Sequence, residues 1–161
     1  MGQGHSANEP DTYVWSAIKY HNDERQKISR KTGIPRLPLK FSPDLARGAE
    51  QWAQHLLKTN SFKHSNADGE YGENLWMGSG RQLRGPADIQ KMIADAHSSW
   101  IEEGHRPGEN THYSQMIWPY TTELGIAHAY RDGTAVVVAR YSPPGNILVV
   151  CPLKGYHISS M

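Results

Sequence analysis

Cysteine is almost absent from this chain. Cys151 is the only one, so no internal disulfide can form. That favours a reducing compartment and excludes a small fold held together by cross-links. Net charge is also nearly absent: 17 basic residues balance 16 acidic ones to give +1. Bulk charge therefore offers no attraction to nucleic acid. No apolar run is long enough to span a membrane, no secretory leader is read at the start, and no Asn-x-Ser/Thr acceptor occurs. Internal repeats and low-complexity tracts are missing too. With 161 residues, 37% hydrophobic and 20% charged, the chain has the size and composition of one globular domain with a real core.

What is present has clear periodicity. Residues 1–10 are polar and read as a loose arm, followed by a single domain over 11–153 and a short tail over 154–161. From Asp11 to about Lys31, Val14, Ala17, Ile18 and His21 recur on one helical face, and Gly33 and Pro35 end the helix. Ser42-Pro43-Asp44 opens a second helix whose stripe is Leu45, Ala49, Trp52, Ala53 and Leu56. A third helix begins near Pro86, carries Ile89, Met92, Ile93, Ala96 and Trp100 on one face, and is closed by Gly104.

The period then changes. Met116-Ile117-Trp118, Leu124–Ala127 and Ala135–Ala139 read as strands, with Asp132-Gly133 as a tight hairpin between the last two. Ile147–Cys151 reads as a further strand or as a tail packed on a sheet edge. Helices followed by hairpin-linked strands make an α+β domain with a mainly antiparallel sheet, in which Val136 and Val138 share one face. The first 40 residues lean basic, through Lys19, Arg25, Lys27, Arg30, Lys31, Arg36 and Lys40. A solvated helix face is the favoured reading, and a patch that meets anionic lipid is the alternative.

Nine histidines are many for this length. His64 and His112 stand out because each sits among polar and aromatic residues next to an ordered segment. No His-Glu-x-x-His helix or Cys-x-x-Cys pair occurs, so spacing alone does not specify zinc. Gly78-Ser79-Gly80 lacks the spacing of a nucleophile elbow. Ser65 beside His64 raises a Ser/His/Glu hydrolase, although adjacency in sequence is not triad geometry. Cys151 reads as a buried small hydrophobe.

Several segments, in order, resemble the signature of the CAP superfamily of cysteine-rich secretory, antigen 5 and pathogenesis-related proteins. They are His21-Asn22-Asp23-Glu24-Arg25, Gly72-Glu73-Asn74-Leu75, Trp100-Ile101-Glu102-Glu103, His112-Tyr113-Ser114-Gln115-Met116-Ile117-Trp118 and Ala139–Asn146. The chain is most similar to the disulfide-poor, Golgi-associated pathogenesis-related subgroup. That resemblance implies a three-layer α-β-α sandwich and a cleft lined by His64, Glu73, Glu103 and His112. It also implies weak, exchangeable Zn²⁺ on His64 and His112, scaffold roles for Arg25, Asn74, Tyr113 and Gln115, and a structural role for His21. Pro119-Tyr120 departs from the family pattern and is expected to alter the cleft rim. Met1-Gly2-Gln3-Gly4-His5-Ser6 fits a myristoylation pattern at Gly2, which would place the protein on the cytoplasmic face of Golgi-like membranes. A cloning remnant is the competing reading of that segment, and removal of a leader would instead make the protein extracellular.

The functional expectation is a non-enzymatic binder of lipid or sterol, of a protein partner, or of a second copy of the chain as a homodimer. The rival is a metal-assisted hydrolase or protease with Glu73 or Glu103 as base. A secreted defence or virulence factor is a third reading.

Overall fold

The structure, a computed structural model, describes residues 11–105 and 110–147 and the backbone of 149–150 and 157–158. Gly2 and Cys151 lie outside the described residues. Helix α1 spans Thr12–Thr32 and ends on Gly33 in the left-handed conformation (φ 74°), whose N–H bonds Ser29 O. Helix α2 spans Pro43–Lys58 and opens where its sequence predicts, with Ser42 Oγ accepting from Leu45 N. Helix α3 spans Pro86–Glu102 and runs on into a 3₁₀ turn, Glu103–His105. Gly104 is therefore not a left-handed cap. A Cβ there would stand 2.9 Å from the Tyr113 ring, so the glycine serves close packing.

Met116-Ile117-Trp118 is not a strand. His112–Met116 forms the short helix α4, opened by a reciprocal cap in which Thr111 Oγ1 accepts from Ser114 N and Ser114 Oγ accepts from Thr111 N. A short apolar run cannot distinguish strand from buried helix, and here the cap decided.

Strands β1 (Lys40–Phe41), β2 (Gly72–Gly78), β3 (Glu123–Arg131) and β4 (Thr134–Ser142) form one sheet in the order β1-β3-β4-β2. Strand β4 pairs antiparallel with both neighbours, while β1 pairs parallel with β3, so the sheet is mixed. The β3–β4 turn has Asp132 and Gly133 at φ 51° and 84°, the backbone an Asp-Gly hairpin requires. Beyond it, β5 (Val149–Val150) pairs with β6 (His157–Ile158) as a separate ribbon.

Alternation along the strands divides the core in two, giving the α-β-α sandwich. Val136, Val138, Ala127 and Leu75 face α2, packing on Ala49, Ala53 and Leu56 with Trp52 at the edge. Ala135, Val137, Ala139, Tyr141, Leu124 and Ile126 face α1 and α3, meeting Val14, Ala17, Met92, Ile93 and Trp100. On the basic first helix, Lys19 pairs with Asp23, Lys27, Arg30 and Lys31 are exposed, and Arg25 is fully buried.

Gly125 of β3 lets α2 lie close to the sheet. A Cβ there would run into the backbone of Ala46 and stand 2.5 Å from the Leu45 carbonyl carbon. Gly125→Ala is therefore expected to destabilise the fold by about 1–3 kcal/mol, as overpacking does. A urea midpoint equal to that of the wild type would show that α2 is free to shift.

Candidate functional site

His64, Glu73, Glu103 and His112 arrive from four separate segments and line one open cleft of about 670 Å³. His64 lies on the loop after α2, held there as Trp52 Nε1 donates to Lys63 O at 3.0 Å. Glu73 is the second residue of β2. Glu103 stands in the 3₁₀ turn that ends α3, and His112 begins α4. Ser65, Tyr71, Asn74, Asn110, Thr111, Gln115 and Asn146 also line it, so most of the lining side chains carry hydrogen-bonding groups.

The four residues form two imidazole–carboxylate pairs. His64 Nδ1 donates to Glu73 Oε1 at 2.9 Å, and His112 Nδ1 donates to Glu103 Oε2 at 2.8 Å. These bonds place the hydrogen of each neutral ring on Nδ1 and leave each Nε2 with a free lone pair. Neither Nε2 has a hydrogen-bond partner among the described residues. The His64 side chain is 60% exposed and that of His112 36%, so the rings are open to solvent.

The two carboxylates differ. Glu103 accepts from the His112 ring and from His112 N (2.7 Å), and its side chain is 25% exposed. Glu73 is 5% exposed and accepts four donors: His64 Nδ1, Ser65 N (2.9 Å), Ser65 Oγ (2.7 Å) and Arg140 Nε (3.1 Å). Burial by itself would raise its pKa, but the bonds from His64 and Ser65 and the charge of Arg140 together hold it below the usual carboxylate range. With all four acceptor positions filled, Glu73 orients His64 and has no lone pair left for a substrate proton. Ser65 gives its hydrogen to Glu73 and is not bonded to an imidazole, so the Ser/His/Glu triad is not assembled.

Among the described residues no three His, Cys, Asp or Glu side chains are grouped to hold an ion. Two carboxylate-oriented imidazoles instead suit an open site for a borderline divalent ion such as Zn²⁺.

The scaffold residues sit behind this wall. His21 is buried, its Nδ1 donating to Ala17 O (2.8 Å), so its Nε2 accepts from Tyr141 OH (2.6 Å). The Tyr141 oxygen accepts from Asn74 Nδ2 (3.0 Å), which also donates to His112 O (3.0 Å). Tyr113 OH donates to Glu24 at 3.2 Å, and the Trp100 ring stacks 6.0 Å from His112. Gln115 does line the cleft, yet its ends are engaged, Oε1 accepting from Gly145 N and Nε2 donating to Thr121 Oγ1. Tyr120 is exposed, and neither it nor Pro119 is among the described residues that line the cleft. Arg140 and Tyr71 were not singled out from sequence. The available signal was the alternation of β4, which sets Arg140 on the face opposite Tyr141.

A family model described as "CAP: Cysteine-rich secretory protein family" matches residues 18–151. The human "Golgi-associated plant pathogenesis-related protein 1" is 36% identical over 139 residues, spanning 81% of this chain and 82% of that protein. "Pathogenesis-related protein PR-1 type" of Sambucus nigra is 30% identical over 148 residues, spanning 86% and 78%. The fold is also that of the crystal structure of NaASP2 with Zn²⁺ (TM-score 0.73, 21% identity, 98% of this chain and 90% of that one). The structure of BmVAL-1 is similarly close, at TM-score 0.71 and 21% identity over 91% and 84%.

Proposed function

Because this chain belongs to the CAP family of cysteine-rich secretory proteins, we propose that its polar cleft is a binding site completed by a divalent metal ion, Zn²⁺ being the best match, on His64 and His112. The observation that carries this reading is the pairing of each imidazole with its own carboxylate, which leaves both Nε2 lone pairs available to an ion. Two imidazoles leave coordination positions for solvent or for a bound ligand, so the ion is exchangeable and held weakly. The protein is a binder in this reading, not an enzyme. NaASP2, whose solved structure is described as containing Zn²⁺, shares the fold.

Titration calorimetry with Zn²⁺ tests it. The wild type should bind, and the double variant His64→Ala, His112→Ala should show no measurable heat while keeping its circular dichroism spectrum. Unchanged affinity in the double variant would remove these ligands from consideration.

Among the described lining residues most side chains carry hydrogen-bonding groups, Ala67 being the purely aliphatic one. In this reading the cleft takes a polar group of its ligand, and a lipid, sterol, protein or second-copy partner either supplies that group or meets another surface. The hydrolase alternative retains one specific support: Glu103 is the cleft carboxylate with acceptor capacity to spare, so Glu103, not Glu73, would be its base. Zinc-dependent hydrolysis that disappears in Glu103→Gln would establish that alternative.

No helix among the described residues is long and apolar enough to cross a membrane. We assign the protein to the cytoplasmic face of a membrane through acylated Gly2, with an extracellular location as the alternative if a leader is removed. Intact mass of protein purified from its native host decides between them.

A further inference from the structure

Arg140 lies directly opposite Glu73 in the β2–β4 register, and its guanidinium makes three kinds of contact at once. Its Nε donates to Glu73 Oε2 at 3.1 Å, one terminal nitrogen donates to Ser65 Oγ at 3.1 Å, and its Cζ lies over the Tyr71 ring, 4.1 Å from the ring centre. Because Ser65 donates its hydrogen to Glu73, the Tyr71 hydroxyl must donate to Ser65 Oγ, at 2.6 Å. The loop carrying His64 and Ser65 is thereby closed onto the sheet by one side chain that is itself only 11% exposed.

The other terminal nitrogen of Arg140 occupies space left open by helix α2. A Cβ built on Gly48 would stand 2.5 Å from that nitrogen. Gly48 sits inside the helix, where glycine is a poor helix former, and it is not among the residues with positive φ. Its missing side chain is explained by the guanidinium above it.

We propose that Arg140, seated in the space Gly48 leaves, is the positioning residue for the His64–Glu73 half of the cleft. It commits Glu73 to orienting His64, and it makes the affinity of the cleft adjustable from α2, a helix that contributes none of the four cleft side chains. Lysine cannot substitute, because one ammonium cannot fork between Glu73 and Ser65 while stacking on Tyr71. The affinity arm of the test below rests on the metal reading, and the resonance arm does not.

The test uses ¹⁵N-labelled full-length Gly48→Ala and Arg140→Lys. Long-range ¹H–¹⁵N spectra report each histidine ring, and calorimetry reports Zn²⁺ binding. In both variants the His64 ring signals should move while those of His112 stay in place. Zn²⁺ affinity should fall by about 10–100-fold, the usual effect of losing an orienting partner. Alanine favours the helix and the atom it meets is the far end of a flexible side chain, so Gly48→Ala should stay folded, and it carries the test if Arg140→Lys does not fold. His64 signals unchanged in Gly48→Ala would overturn the proposal. So would equal movement of both rings, which would mean general loosening. If the wild type binds no Zn²⁺, the metal reading fails and the ring signals alone decide the role of Arg140.

Discussion

Arg25→Met should destabilise this protein more than any substitution in the cleft. The Arg25 guanidinium is fully buried and meets no carboxylate in its hydrogen bonds. It donates to four main-chain carbonyls: Leu37 O at 2.8 Å, Met116 O at 3.1 Å, Trp118 O at 2.8 Å and Thr121 O at 3.0 Å. One side chain of α1 thus ties together the segment after that helix and the segment that follows α4. Burial, with a smaller contribution from Arg36, pushes its pKa down to about 10, which still leaves it charged at neutral pH. Methionine fills similar volume but leaves four carbonyls facing each other without donors. Leaving a buried acceptor without its donor costs about 1–3 kcal/mol per group, so four together remove a large part of the 5–15 kcal/mol that holds a typical domain together. Arg25→Lys should rescue little, because an ammonium cannot span four acceptors. Urea denaturation gives the answer. A midpoint for Arg25→Met within error of the wild type would show that those carbonyls find water instead.

Acid should unfold the protein through its buried histidines, before its carboxylates titrate. His97 is 1% exposed, its Nδ1 bonds Ile93 O at 2.7 Å, and its buried Nε2 has no partner among the described residues. Burial lowers its pKa to about 4, and the Ile93 carbonyl opposes that only in part. His21, with its ring centre 5.1 Å from that of His97, is also held well below its ordinary value, by burial first and then by the neighbouring His97. His128 is lowered by burial as well, in the same direction, although Asp11 and Glu50 oppose it. Both central rings stay neutral in the fold, whereas the unfolded chain protonates near pH 6.5. Protons therefore favour unfolding throughout that interval. Stability is full above about pH 6.5 and falls as pH drops towards 4. For His97 alone the interval amounts to about 3 kcal/mol. Glu73 and Asp95, which are held low, add to the loss only once the pH reaches the carboxylate range. Urea midpoints at about pH 7 and about pH 5 should differ strongly in the wild type and less in His97→Phe, which keeps the contributions of His21 and His128. Equal slopes in the two proteins would show that His97 finds a proton acceptor when charged.

Much of the architecture was legible because it depends on near neighbours in the chain. The stripes of α1, α2 and α3 repeat at helical spacing, and Ser42 and Asp132-Gly133 act within a few residues of themselves. The runs that fail are short or ambiguous. Met116-Ile117-Trp118 is apolar enough for a strand, yet the Thr111–Ser114 cap upstream winds the chain into α4. Strand β2 carries Glu73 and Asn74 near its start and becomes a strand only by pairing with β4. The parallel β1–β3 pair involves two residues of β1 and leaves no periodic trace.

For the cleft, the motifs around His64, Glu73, Glu103 and His112 could be marked from sequence through family resemblance, since each is a recognisable string of residue types. What those residues can do was decided by tertiary structure. Sequence alone treated Glu73 and Glu103 as equivalent bases. The β2–β4 register sets Arg140 against Glu73, and the chain closure that brings Ser65 beside both fills every acceptor position of one carboxylate while leaving the other open. Local propensity acts over three or four residues and can be read along the chain. The state of a lone pair depends on donors that arrive from distant strands and loops, and only the packed fold brings them together.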